Sequence, residues 1–296
     1  MRVYSGFFLL LLAAGFIATA AHAKQGRYVS AECPRGGEAA KAITEQAIDF
    51  ERGRKGIRAD ISRAEELFEK ALRQGDAAAA LNLGLIYRAN YSPRPDARAR
   101  QRFSVAMYRQ AIDMGCPEGY QNLADAYENG WGVVRDSEKA LEMWRTAADK
   151  GGLDAMAGYG DYLVSLAAPI RGNVLQEERR RLRAEGKALM EESLRRGNGH
   201  AAGPLSRYYD VYEDDTEAMI RVLREGSRLG SMDALYSLYF IYRGGLSGQP
   251  KDEAYADRIY RVRASIDEDV YPRPIPDFDR LVPPRKVLPK PAKGSK

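Results

Sequence analysis

Few residues in this 296-residue chain have the reactivity that catalysis needs, and they are scattered. Imidazole is the side chain that exchanges protons or ligates metals most readily near neutral pH. The sequence holds His22, inside an apolar leader, and His200. A Ser/His/Asp arrangement or a histidine-based metal site in the body of the chain would therefore rest on His200 alone. His200 stands at the start of a predicted helix, where an exposed helix-start residue accounts for it. A Cys/His dyad would need Cys33 or Cys116 beside it. In an oxidising compartment two cysteines often pair, but spacing does not show proximity. Either Cys33 and Cys116 form a disulfide tying the N-terminal segment to the third repeat, or they are unrelated thiols, Cys116 being a small residue where a helix begins. Glu213-Asp214-Asp215 could serve as general acid and base, yet adjacent acids opening a helix are more simply capping charge. Gly130-Trp131-Gly132 lacks the pattern of a phosphate-cradling loop and reads as a turn between helices. The expectation is a non-enzyme: no catalytic residues, no cofactor, no metal.

The elements that carry these residues begin with an address label. Arg2, the apolar run Phe7 to Ala14 and Ala21-His22-Ala23 have the form of a cleavable signal peptide over residues 1–23. Lys24 follows the cleavage point, so the lipoprotein cysteine is missing there, and a bacterial periplasm is the expected destination. No later stretch has the roughly 18 consecutive apolar residues of a spanning helix, so no stable membrane insertion is expected. The net charge of +5 comes with acids and bases mixed along the chain, which leaves no nucleic-acid footprint.

The rest of the chain repeats itself. Gly75, Gly115, Gly151, Gly197 and Gly230 are separated by 40, 36, 46 and 33 residues. Four residues before each is a small side chain (Ala71, Ala111, Ala147, Ser193, Gly226), and seven before is a bulky one (Phe68, Tyr108, Trp144, Met190, Leu223). Four after is small again (Ala79, Gly119, Ala155, Ala201, Ala234). Eight after is Leu83, Leu123, Tyr159, Leu205 or Leu238, and twelve after is Tyr87, Tyr127, Leu163, Tyr209 or Tyr242. These offsets put large and small residues on one face of a helix ending at the glycine and one face of a helix leaving it. A glycine suits the left-handed residue that closes a helix. Each unit is a helical hairpin with an apolar face that only a neighbour can cover, so the units stack. The expected fold is all-α, an α/α solenoid of about six hairpins over residues 38–266. An extension (24–37) precedes it and a proline-rich basic tail (267–296) follows. Pro283 to Lys296 holds five Lys or Arg and no acid, and is expected to be disordered. The charged run Glu177 to Arg183 reads as a solvated helix face or as a contact ridge for a partner.

The third unit carries a resemblance. Gly130, Trp131 and Gly132, then Asp136, Ala140, Trp144, Ala147 and Gly151, resemble the Sel1-like repeat, and Leu83, Gly84 and Tyr87 are similar to its other half. That family implies α/α hairpins related to tetratricopeptide repeats. The fourth and fifth units depart from it by lacking the glycine-rich turn. A second resemblance lies in the tail: Pro274 to Pro284, with Asp277-Phe278-Asp279-Arg280-Leu281-Val282, is similar to the closing motif of exported Sel1-type proteins. Members of that group are often immunity proteins paired with type VI secretion lipase effectors, notably of the phospholipase D type. The resemblance therefore implies a protein partner, a phospholipase effector, blocked by occlusion. An envelope scaffold or adaptor in polysaccharide export or periplasmic signalling is the alternative. Tyrosines outside the repeat columns, Tyr208, Tyr212, Tyr236 and Tyr255, are expected to reach the groove, since aromatic residues anchor tight interfaces.

Overall fold

The structure, a computed structural model, describes residues 33–89, 96–168, 175–266 and 274–290. The leader, residues 24–32 of the extension, parts of both long connections, the start of the tail and residues 291–296 lie outside the described residues. Among the described residues thirteen α-helices follow one another and there is no strand. They are α1 (Glu38–Arg52), α2 (Ile61–Arg73), α3 (Ala77–Arg88), α4 (Ala97–Asp113), α5 (Glu118–Asn129), α6 (Ser137–Asp149), α7 (Leu153–Leu166), α8 (Gln176–Arg195), α9 (Ala202–Tyr208), α10 (Thr216–Arg228), α11 (Met232–Gly244), α12 (Glu253–Ala264) and α13 (Phe278–Leu281). A short 3-10 turn, Gly199–Ala201, leads into α9, and a π turn, Tyr209–Glu213, closes it. The chain is an all-α solenoid.

Each origin glycine ends one helix and starts the next. Gly75, Gly115, Gly151, Gly197 and Gly230 all have φ between 84° and 101°, the left-handed region that a Cβ disfavours. The Gly75 amide bonds to the Leu72 carbonyl at 2.9 Å, and the Asp76 amide to the Ala71 carbonyl at 3.2 Å. This paired closure recurs at the other four glycines, always with the small residue four positions back as the outer acceptor. The residue after the glycine then opens the next helix. Asp76, Asn198 and Ser231 accept backbone amides of α3, the 3-10 turn and α11, a cap worth about 1 kcal/mol each.

The packing follows the columns. Ala71, Ala111, Ala147 and Ser193 are fully buried, and Leu83, Leu123, Leu205 and Leu238 form the facing set. Trp144 and Tyr127 are the exceptions, each only half-buried. Gly84 is needed for close approach: a Cβ there would lie 2.4 Å from the Tyr108 ring of α4. The helices that leave the glycines also touch one another across hairpins, α5 to α7, α7 to α9 and α9 to α11. They form the inner row of the solenoid, and α2, α4, α6, α8, α10 and α12 form the outer row.

Two expectations need correction. The fifth unit does contain the glycine-rich turn: Gly245 and Gly248 have positive φ, and the Asp252 amide reaches the Tyr242 carbonyl at 2.8 Å. Asp60 with Phe50 and Asp136 with Tyr127 close the same turn. In the fourth unit the π turn ending at left-handed Asp214 replaces it. In the first hairpin α2 is regular, and α1 before it ends at left-handed Gly53.

The second correction concerns the tail, which residues 274–290 show docked and ordered along the solenoid. Prolines offer no amide hydrogen, so side chains of the solenoid donate to the tail's carbonyls. Arg224 Nη2 reaches the Val282 carbonyl at 2.8 Å, the Tyr255 hydroxyl that of Pro283 at 2.7 Å, and Gln249 Nε2 that of Leu288 at 2.6 Å. Phe278 and Val282 are buried in the C-terminal core. Asp279 pairs with Arg224 and Arg228, Arg285 with Asp252, and Lys290 with Asp210 and Asp214. At the other end Cys33 and Cys116 are joined, Cα to Cα 4.2 Å, and the Ala77 amide bonds to the Pro34 carbonyl. Buried Asp76 holds Arg35 and Thr44 there as well as its own helix cap.

Candidate protein-binding surface

The inner face is built from positions ten residues after each glycine: Leu85, Asp125, Asp161, Arg207 and Phe240. Ion pairs join neighbouring helices of this row. Arg88 Nη1 lies 3.1 Å from Asp125 across α3 and α5, and Arg207 Nη2 lies 3.1 Å from Asp161 across α9 and α7. The Arg88 guanidinium also stacks over Trp131 at 4.4 Å, which gives the glycine-flanked turn a place at the rim of this face. Acid and base along the middle of the face thus neutralise one another.

The character changes at the C-terminal end. Tyr236 and Phe240 on α11 and Tyr260 on α12 are 43%, 48% and 51% exposed. Tyr239 ties them together, with ring centroids 5.1 Å from Phe240 and 5.9 Å from Tyr260. The Arg263 guanidinium lies 4.5 Å over the Tyr236 ring. Four aromatic rings capped by arginine, held on two rigid helices, are the composition that protein interfaces favour. The patch is legible in part from sequence, because Phe240 replaces the charged residues that the three preceding units carry at its column.

Of the tyrosines expected in the groove, only Tyr236 lies in this patch. Tyr255 is 3% exposed and Tyr208 8% exposed; both are core, since Tyr255 is the hydroxyl donor that holds the tail and Tyr208 packs beside Tyr209 and Tyr212. Tyr212 is half-buried under Arg183, whose guanidinium lies 5.1 Å over its ring. One end of the charged run of α8 thus braces the π turn, while Glu177 and Glu178 are exposed.

The reactive residues are placed apart. His200 is half-buried in the 3-10 turn, its amide bonded to the Asn198 side chain at 3.0 Å. Asp215 caps α10 by accepting the Ala218 amide, Glu213 meets Lys187 at 2.7 Å, and Asp214 meets Lys290. The electrostatics fix charge states. Burial pushes the phenols of Tyr208, Tyr209 and Tyr255 up. Burial lowers Lys187, but its bond to Glu213 together with the charges of Tyr209, Glu213 and Glu191 outweighs this and the net shift is upward. Asp279 is raised by burial, and the Arg228 and Arg224 bonds outweigh that to hold it low. Each of these groups is moved away from neutrality, the reverse of what a general acid or base requires.

Among the described residues, no helix is long and apolar enough to cross a membrane. The Sel1 repeat pattern matches residues 50–76 and 117–152. Among solved structures, immunity protein Pa5087 from Pseudomonas aeruginosa is similar at 18% identity and a TM-score of 0.62, over 84% of this chain and 90% of that one. Immunity protein PA5088 from the same organism gives 18% and 0.63, over 85% and 90%. A Sel1 repeat protein from Oxalobacter formigenes gives 20% and 0.57, over 77% and 88%. At these identities the likeness is one of fold. The chain is an α/α solenoid that carries Sel1 repeats.

Proposed function

We propose that this chain is a periplasmic immunity protein, exported by its signal peptide, which binds and blocks a phospholipase effector of type VI secretion. The observation that carries the binding role is the exposed aromatic patch of Tyr236, Tyr239, Phe240 and Tyr260, on the face that the tail leaves uncovered. The tail occupies the outer row at α10 and α12, so a partner reaches this end of the solenoid from the inside. The fold likeness to two immunity proteins supports the immunity role, and the resemblance of the tail motif supports the choice of a phospholipase as partner. Mechanistically the protein covers the effector's substrate path or membrane-facing surface, through an interface of more than about 1,000 Å², and nothing is turned over.

The test is direct. Purified chain is mixed with a candidate type VI phospholipase effector, and lipid hydrolysis is followed at increasing ratio. Activity should fall to baseline at one-to-one and the two proteins should elute together. An effector that stays fully active in excess chain ends this reading, and a polymer-export protein recovered as partner would favour the scaffold alternative.

A further inference from the structure

The tail lies against the outer-row helices α10 and α12, and one buried side chain joins all three. Arg224 of α10 donates from Nη1 to the Tyr255 hydroxyl of α12 at 2.9 Å. Its Nη2 donates to the Val282 carbonyl at 2.8 Å and to Asp279, and its guanidinium lies 5.3 Å over the Phe278 ring. The Tyr255 hydroxyl continues the network to the Pro283 carbonyl at 2.7 Å. Arg285 then stacks over the same Tyr255 ring at 4.6 Å and pairs with Asp252, the residue that caps α12. Breaking this network strands polar groups away from water, which costs more than losing a surface hydrogen bond. The tail, α10 and α12 therefore hold one another.

Helix α12 depends on such support. An outer-row helix such as α10 packs against inner-row helices on both sides, α9 and α11. Helix α12 packs against α11 and ends the array, so the tail takes the place of a further neighbour, with Phe278 and Val282 buried in the C-terminal core. The aromatic patch in turn depends on where α12 sits. Tyr236, Tyr239 and Phe240 belong to α11, whereas Tyr260 and Arg263 belong to α12. The patch is joined across the two helices by Tyr239 and Tyr260, 5.9 Å apart, and by Arg263 at 4.5 Å over Tyr236. Tyr255 and Tyr260 are five residues apart, about 140° around the helix. The tail thus grips one flank of α12 while the patch uses a flank turned well away from it.

We infer that the tail is a clamp that sets α12 against α11, with Arg224 and Phe278 as positioning residues, and that its docking on the outer row raises the affinity of the inner face for its protein partner. The inference rests on the reading of the aromatic patch as the partner's contact, and adds a means of regulating it. Release of the tail weakens the complex, and by linkage the bound partner holds the tail in place.

The test compares the full, disulfide-bonded chain with its Phe278→Ala variant and with Phe278→Leu, which keeps an apolar anchor. Hydrogen exchange read by mass spectrometry follows each helix, and calorimetric titration measures affinity for the candidate type VI phospholipase effector. Phe278→Ala should speed exchange of the α12 amides about ten-fold or more and leave α3 to α7 at parental rates, which shows that the solenoid is folded. Effector affinity should fall about ten-fold, the size of coupling common between distinct sites. Phe278→Leu should stay near the parent in both readouts. Should Phe278→Ala disturb α3 to α7 as well, Asp279→Asn, which removes no core volume, takes its place with the same expectations. Unchanged α12 exchange overturns the clamp, and fast α12 exchange with parental affinity overturns the coupling while the patch reading stands. An effector that ignores the parent chain ends that reading and this proposal with it.

Discussion

A left-handed backbone and a close helix contact ask for glycine for different reasons, and the two separate by experiment. Gly197 has φ 101° with nothing within 4 Å of where a Cβ would stand. Gly197→Ala therefore meets only conformational strain, about 1–2 kcal/mol, partly offset by a stiffer unfolded chain. Gly84 is helical, and alanine there would gain about 1 kcal/mol of propensity were Tyr108 not 2.4 Å away. Overpacking costs about 1–3 kcal/mol, so both variants should lower the urea midpoint, and a more stable Gly84→Ala would contradict the packing described. The cysteine pair closes a loop of 83 residues. Chain entropy alone gives such a crosslink about 4.5 kcal/mol, so Cys33→Ser with Cys116→Ser should melt well below the oxidised protein. Thiol titration of the native chain should find no free sulfhydryl. The repeat glycines were readable because one conformation admits one residue type. Whether two cysteines 83 residues apart meet was not, since it depends on Pro34 and Arg35 docking on the first hairpin turn.

At the level of elements, the tail is the part that composition describes least well. Its charge and prolines suggested disorder, and yet it is held because the solenoid supplies what prolines lack: donors from Arg224, Tyr255 and Gln249, and acids opposite Arg285 and Lys290. Such partners lie on four different elements, which no local pattern reveals. Asp279 makes the docking pH-dependent. Its folded pKa lies below the ordinary carboxylate range, so its contribution is present above the unfolded value of about 3.9 and disappears as pH falls through the folded value. Acid titration below about pH 4 should loosen the tail, seen as rising proteolysis after α12. Asp279→Asn should be loose already at neutral pH and show little further change; an acid response identical to that of the parent would contradict this pairing.

Across the whole molecule, periodicity made the solenoid legible, because every unit must bury the same face in the same way. The binding surface was less so. Sequence singled out tyrosines by their absence from the repeat columns, but an off-column residue can still turn inward, as Tyr208 and Tyr255 do. Exposure depends on which row a helix joins, and that follows only from how neighbours stack. In the proposed complex the aromatic end of the inner face meets the partner. Tyr236→Ala with Phe240→Ala removes two exposed rings without opening the core, and should cost at least about 2 kcal/mol of binding, about thirty-fold in affinity. Calorimetric titration of the effector with parent and double variant decides it. A thirty-fold or greater loss at unchanged melting temperature is the predicted result, and equal affinity of the two proteins would place the interface elsewhere.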